Sequence, residues 1–156
     1  MSVSKQHLLI AIALFVSVIP ARAQGIGGRV GASADPDQFY GGVHVQSGEL
    51  ADNLRFQPSL EIGVGDDRTL FAVNFEFTYR LPRNAPRLPA SMAAWHLYVG
   101  GGPALNIYHV TNDTHAEGGL NALIGLAHSN GLFAEAKLGA LKSPTFKFAV
   151  GYTFHP

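Results

Sequence analysis

A chain of 156 residues, with 11 Lys+Arg against 11 Asp+Glu and no cysteine, is sized for one domain and cannot be held together by disulfides. The even charge balance lacks the basic footprint of a nucleic-acid binder, so no nucleic-acid partner is expected. Eighteen glycines and nine prolines punctuate the sequence, which excludes long uninterrupted helices and points to many short elements.

Lys5 precedes an apolar run over residues 8–19, followed by Pro20 and Ala21-Arg22-Ala23. A charged start, a short apolar core and a small-x-small site make a secretory signal cut after Ala23. The expected domains are therefore a signal peptide, 1–23, and a mature domain, 24–156. The run falls short of the ~20 residues a membrane-spanning helix needs, and no later stretch reaches that length. Lys5 and Arg22 are the basic residues of the signal, so the mature part keeps nine basic and eleven acidic side chains, a net charge of −2 with His neutral.

Eight strand-like segments follow. The first, 25–33, sets Ile26 and Val30 against Arg29. Ala34-Asp35-Pro36-Asp37 is a turn, because Asp bonds its own backbone and Pro fixes φ. The second, 38–47, alternates Phe39, Val43 and Val45 with Tyr40, His44 and Gln46. In the third, 54–64, Leu54, Phe56, Pro58, Leu60, Ile62 and Val64 oppose Arg55, Gln57, Ser59, Glu61 and Gly63. Pro58 cannot donate to a ladder and predicts a bulge or a local break in pairing.

Gly65-Asp66-Asp67-Arg68 is a hairpin turn into the fourth segment, 69–80. Here Phe71, Val73, Phe75, Phe77 and Tyr79 share one face, and Ala72, Asn74, Glu76, Thr78 and Arg80 the other. Only a strand separates these two sets. Closing the turn pairs Val64 with Thr69 and puts the apolar faces of both strands on one side. Arg55 then lies opposite Thr78 and diagonal to Glu76, within reach of an ion pair.

Residues 81–91 form the longest connection. The fifth segment, 94–109, places Trp95, Leu97, Val99, Leu105 and Ile107 opposite His96, Tyr98, Asn106 and Tyr108, with Gly100-Gly101-Gly102-Pro103 as a kink. Residues 110–117 read as a polar loop. The sixth segment, 120–126, turns outward Leu120, Ala122, Ile124 and Leu126. His128-Ser129-Asn130-Gly131 is a tight turn. The seventh, 132–140, alternates Leu132, Ala134, Ala136 and Leu138 with Phe133, Glu135, Lys137 and Gly139. After the turn at Lys142-Ser143-Pro144, the eighth, 145–154, sets Phe146, Phe148, Val150, Tyr152 and Phe154 against Lys147, Ala149, Gly151 and Thr153.

Eight alternating strands suit two architectures: a soluble barrel with its apolar face around a ligand, or a membrane barrel with that face on lipid. The charges favour the second. Arg29, Arg55, Glu61, Glu76, Arg80, Glu135, Lys137 and Lys147 all oppose the apolar residues and would form a paired polar plug, the last seven being the expected interior polar cluster, since Arg or Lys on lipid costs about 2–4 kcal/mol at the midplane. Ten residues rising ~3.3 Å each and tilted about 45° cover roughly 23 Å of the ~25 Å apolar band. The fold class read here is all-β, an eight-stranded antiparallel up-and-down transmembrane β-barrel.

The signal, the eight strands and the aromatic last strand FKFAVGYTF resemble the small eight-stranded outer-membrane barrels: the OmpA-type transmembrane domain, OmpX and the opacity-like surface proteins. The resemblance covers residues 24–156 and rests on pattern. It implies an outer-membrane location, outer-membrane lipid as surroundings and a monomer. It also implies that the outer-membrane insertion machinery reads the last strand, through Phe146, Phe148, Tyr152 and Phe154. His155 and Pro156 follow Phe154, a departure from an aromatic end. With both chain ends in the periplasm, the 81–91 connection would face that side, where this class has tight turns.

Some members of the class are lipid A deacylases with a His, Ser and Glu on the outer wall. Here His128 and Ser129 are adjacent, where that family has one residue between them, and Glu135 points inward. HSNG is read as a turn, and no catalytic site, metal site or cofactor is assigned. The histidines show no HxH or HExxH spacing, and no P-loop lysine follows Gly100–Gly102. The expected function is structural or surface-interacting. A soluble exported barrel carrying an apolar ligand and a lipid A deacylase-like hydrolase are the alternatives.

Overall fold

The computed structural model describes residues 23–65, 68–84, 87–111 and 113–155. The signal segment expected over 1–23 lies outside the described residues except for Ala23, as do Asp66 and Asp67 of the hairpin turn. Among the described residues, nine strands follow one another: β1 (Ala23–Ala34), β2 (Gln38–Ser47), β3 (Glu49–Ala51), β4 (Leu54–Gly65), β5 (Arg68–Arg80), β6 (Trp95–Val110), β7 (Asp113–His128), β8 (Leu132–Leu141) and β9 (Phe146–Phe154). β3 is a three-residue lip strand paired with the start of β4. The other eight pair antiparallel in sequence order, and β1 with β9 and β2 with β4 shut the ring. The result is an all-β, eight-stranded, up-and-down barrel. Closure leaves none of the eight with an unpaired edge, which is how such a sheet avoids aggregation.

Turn chemistry sets the register. Val64 pairs with Thr69 and Arg55 with Thr78, as the four-residue hairpin requires. At Pro58 there is no bulge: the β4–β5 ladder runs unshifted through Pro58 and Phe75. The break falls on the other side, where the β2–β4 ladder stops at His44 and Ser59.

Around Gly100–Gly102, β6 stays paired with β7 residue by residue. Its ladder with β5 is interrupted between Asn74–Ala104 and Phe77–Gly101, a stretch that contains Pro103 and so lacks an N–H. A Cβ added to Gly100 or Gly102 would strike the carbonyl oxygen of Phe77 or Phe75. These glycines serve close approach of two backbones rather than a break in the strand.

One expectation is corrected. Residues 113–117 are not loop but the first part of β7, paired with Val110 back to Asn106. Polar composition hid the strand, because here both faces carry polar side chains. Tyr108 stacks on His115 at 5.6 Å between ring centres, and His109 shares a 2.6 Å hydrogen bond with Thr114.

The faces sort by solvent. Ile26, Val30, Phe39, Val43, Ile62, Phe77, Ile124, Leu138, Phe148 and Val150 are exposed on the outer wall. No Asp, Glu, Lys or Arg among the described residues takes an outward position on any of the eight long strands. Inside, charges share the lumen with buried Tyr40, Tyr98, Leu123 and Phe133. Among the described residues the phenylalanines therefore do not line a central hollow; of them Phe133 alone is buried there. Bulky neighbours Leu60, Phe71, Phe75 and Leu105 pack over Val73.

The β7–β8 turn depends on one glycine. Gly131 has φ +105°, its N–H donates to His128 O at 2.9 Å, and its O accepts from Thr153 N at 2.9 Å. A Cβ there would press on the Thr153 carbonyl. Gly131→Ala is expected to cost about 1–3 kcal/mol, lowering the temperature at which the compact gel band of the folded barrel is lost. Gly118→Ala, where an added Cβ meets nothing within 4 Å, should leave that temperature unchanged.

Candidate functional site

The chemistry of the lumen begins with alternation. Because inward positions recur every second residue, β8 contributes both Glu135 and Lys137, and β1, β4, β5 and β9 contribute Arg29, Glu61, Glu76 and Lys147. All six are buried, three cations against three carboxylates. Lys137 Nζ donates to both Glu76 oxygens at 2.7 Å and lies 3.4 Å from Glu135 and 3.5 Å from Glu61. Arg29 Nη1 donates to Glu135 Oε1 at 2.9 Å and lies 3.7 Å from Glu61. Lys147 Nζ donates to Glu61 Oε2.

Apart from Lys137 and Glu135, which share β8, these pairs tie strands that are not neighbours in the sheet. β5 and β8 are separated by β6 and β7, and β4 and β9 by β1 and β2. The network therefore crosses the lumen and joins opposite walls. Neutral groups extend it. Tyr98 Oη donates to Glu135 Oε2 at 2.9 Å, and Asn121 Nδ2 lies 3.1 Å from Glu76 Oε1 and 2.9 Å from Asn74 Oδ1. The Arg29 guanidinium sits over the Phe133 ring at 5.5 Å, and Lys147 over Tyr40 at 4.5 Å. Buried charges are tolerable only when paired and hydrogen-bonded in this way.

Of the seven residues expected in an interior polar cluster, the structure brings together Glu61, Glu76, Glu135, Lys137 and Lys147. Arg55 and Arg80 are not among them. The Arg55–Glu76 ion pair does not form: Arg55 donates to Gln46 Oε1 at 3.1 Å and to Glu49 Oε1 at 3.4 Å. Both arginines line a basin of about 630 Å³ at one mouth, together with Arg83, His96, Tyr98 and His155. Arg29, whose alternation against Ile26 and Val30 places it opposite the apolar face, joins the network. Asn74, Tyr98 and Asn121 carried no charge signal and were missed.

Phe146, Phe148, Tyr152 and Phe154 all stand exposed on the outer wall of β9, and Tyr152 meets Phe154 edge to face at 4.8 Å. Trp95, Tyr79 and Tyr152 lie near the basin mouth, while Phe39 and Phe146 lie near the opposite one.

His128, Ser129 and Glu135 do not form a hydrogen-bonded set. His128 Nδ1 accepts from the Asn130 amide at 3.1 Å, and the Ser129 N–H donates to Ala94 O at 2.9 Å. Both oxygens of Glu135 are engaged by Arg29 and Tyr98.

No family model matches the chain, and no curated protein matches it. Solved structures do. Neisserial surface protein A, NspA, aligns over 85% of this chain and 95% of its own, with TM-score 0.61 and 11% identity. The N-terminal β-barrel domain of Pseudomonas aeruginosa OprF aligns over 85% and 98%, with TM-score 0.53 and 16% identity. The outer membrane enzyme PagL aligns over 85% and 99%, with TM-score 0.52 and 9% identity. The likeness is one of fold.

Proposed function

From the fold it shares with small eight-stranded outer-membrane barrels, we propose that this protein is an integral outer-membrane barrel with a structural or surface-interaction role. The observation that carries the reading is the sorting of side chains: apolar residues outside, six paired charges inside. Water would select the reverse, and lipid selects this. Among the described residues, the lumen network leaves no carboxylate without a cationic or hydrogen-bonding partner to act as a base, so no chemistry is assigned to it. The cross-lumen ion pairs make it a plug rather than a channel.

Phe146, Phe148, Tyr152 and Phe154 serve as the signal that the insertion machinery reads, and the chain works as a monomer in outer-membrane lipid after export by a cleaved leader. In this orientation the basin opens toward the periplasm. Fractionation of the expressed protein tests the reading. Recovery in the outer membrane, with gel mobility that changes on heating, is expected, and Phe154→Gln should lower the assembled fraction several-fold. Recovery in the periplasmic extract without detergent would favour a soluble carrier and overturn the proposal.

A further inference from the structure

The two mouths of the barrel differ in charge. Among the described residues, the basin mouth carries Arg55, Arg80, Arg83 and Arg87 against Glu49 and Asp52, and the opposite mouth carries Asp35, Asp37, Asp113 and Glu117 against Arg68 and Lys142. Arg55, Arg80, Arg83 and His96 line one cavity of about 630 Å³, and no Asp or Glu among the described residues lines it. Arg55 is shared with Glu49 at the rim, 3.4 Å away. Arg80 and Arg83 hold no ion pair with a described carboxylate, and the charges of Arg55, of Glu49 in opposition, and of Arg83 all reach Arg80. Four separate pieces of chain place these groups: β4, β5, the 81–94 connection and β6. Like charges that outnumber their counter-charges are unfavourable alone, and a bound anion relieves them.

We propose that the basin is a binding site for a phosphomonoester dianion, held by Arg80 and Arg83 with Arg55 at its edge. Three guanidinium groups against one rim carboxylate leave two positive charges, which matches a dianion. Guanidinium forks suit phosphate oxygens in bidentate contact. Gln57 and Thr78 on the cavity wall add neutral polar groups. The ligand is either a free phosphate compound or the headgroup of a phosphomonoester lipid, since both present the same oxygens.

The single tryptophan makes the test direct. Trp95 meets His128, a basin residue, at 4.9 Å between rings, and shares a second, apolar cleft with Arg83 and His96. The whole barrel, folded in zwitterionic detergent, is titrated with inorganic phosphate, and separately with phosphatidic acid in mixed micelles, while Trp95 fluorescence and calorimetry are followed. Saturable binding of at least one probe is expected. Phosphate alone identifies a soluble ligand, phosphatidic acid alone a lipid headgroup, and both a site that accepts either.

Arg80→Gln and Arg83→Gln should each weaken binding about tenfold. Lys142→Gln, the same charge change at the opposite mouth, should leave it unchanged. If Arg80→Gln fails to fold, Arg83→Gln carries the test, because that side chain is exposed on the connection. No saturable binding of either probe, or equal weakening by Lys142→Gln, would overturn the proposal.

Discussion

Lys137→Met is expected to destabilise the folded barrel by about 3–5 kcal/mol, the cost of breaking a buried pair from one side. The substitution leaves three buried carboxylates facing two buried cations. Glu76 would keep Asn121 as its hydrogen-bonding neighbour and lose both 2.7 Å contacts to Nζ. Adding Glu76→Gln restores the balance, two for two, and supplies a neutral partner for Asn121. The double variant should therefore recover more than half of the loss, because the single cost is mostly that of an uncompensated charge. Urea-driven unfolding from lipid vesicles, extrapolated to zero denaturant, measures both. A single cost below about 1 kcal/mol, or costs that simply add, would show that the network is not a coupled unit.

Val150→Arg probes the other face and should cost about 2–4 kcal/mol in a bilayer. Val150 lies at the centre of β9, exposed outward between Val30 and Ala134. It is not one of the four aromatics assigned to insertion, so its effect reads burial in lipid rather than recognition. On a wall exposed to water the same change would fall within about 0.5 kcal/mol. The two environments thus predict different results for one substitution. Unfolding from vesicles at wild-type urea concentration would mean that this wall does not face hydrocarbon.

The two predictions rest on features that differed in how far the chain alone exposed them. Which way Phe71, Val73, Glu76 and Lys137 point follows from a period of two, a property of adjacent residues. The Val64–Thr69 register follows from turn length, also local. The partner of Glu76 does not. Its diagonal neighbour in the sheet is Arg55, yet it binds Lys137 from a strand on the opposite wall. That choice depends on how tightly the ring closes, and closure is a property of all eight strands together.

The extension of β7 through Asp113 was hidden for a related reason. A loop and a strand whose two faces are both polar look alike in composition, and pairing with Asn106 to Val110 decides between them. The basin was invisible as well, because Arg55, Arg80, Arg83 and His96 come together only when four separate pieces of chain end at one mouth. The linear order of residues determined the strands, their two faces and the side on which charge would be hidden, since each is set by near neighbours and by the cost of charge in hydrocarbon. Which buried cation meets which carboxylate, and where the mouth arginines gather, was decided by curvature and closure, which bring distant residues within a few ångströms.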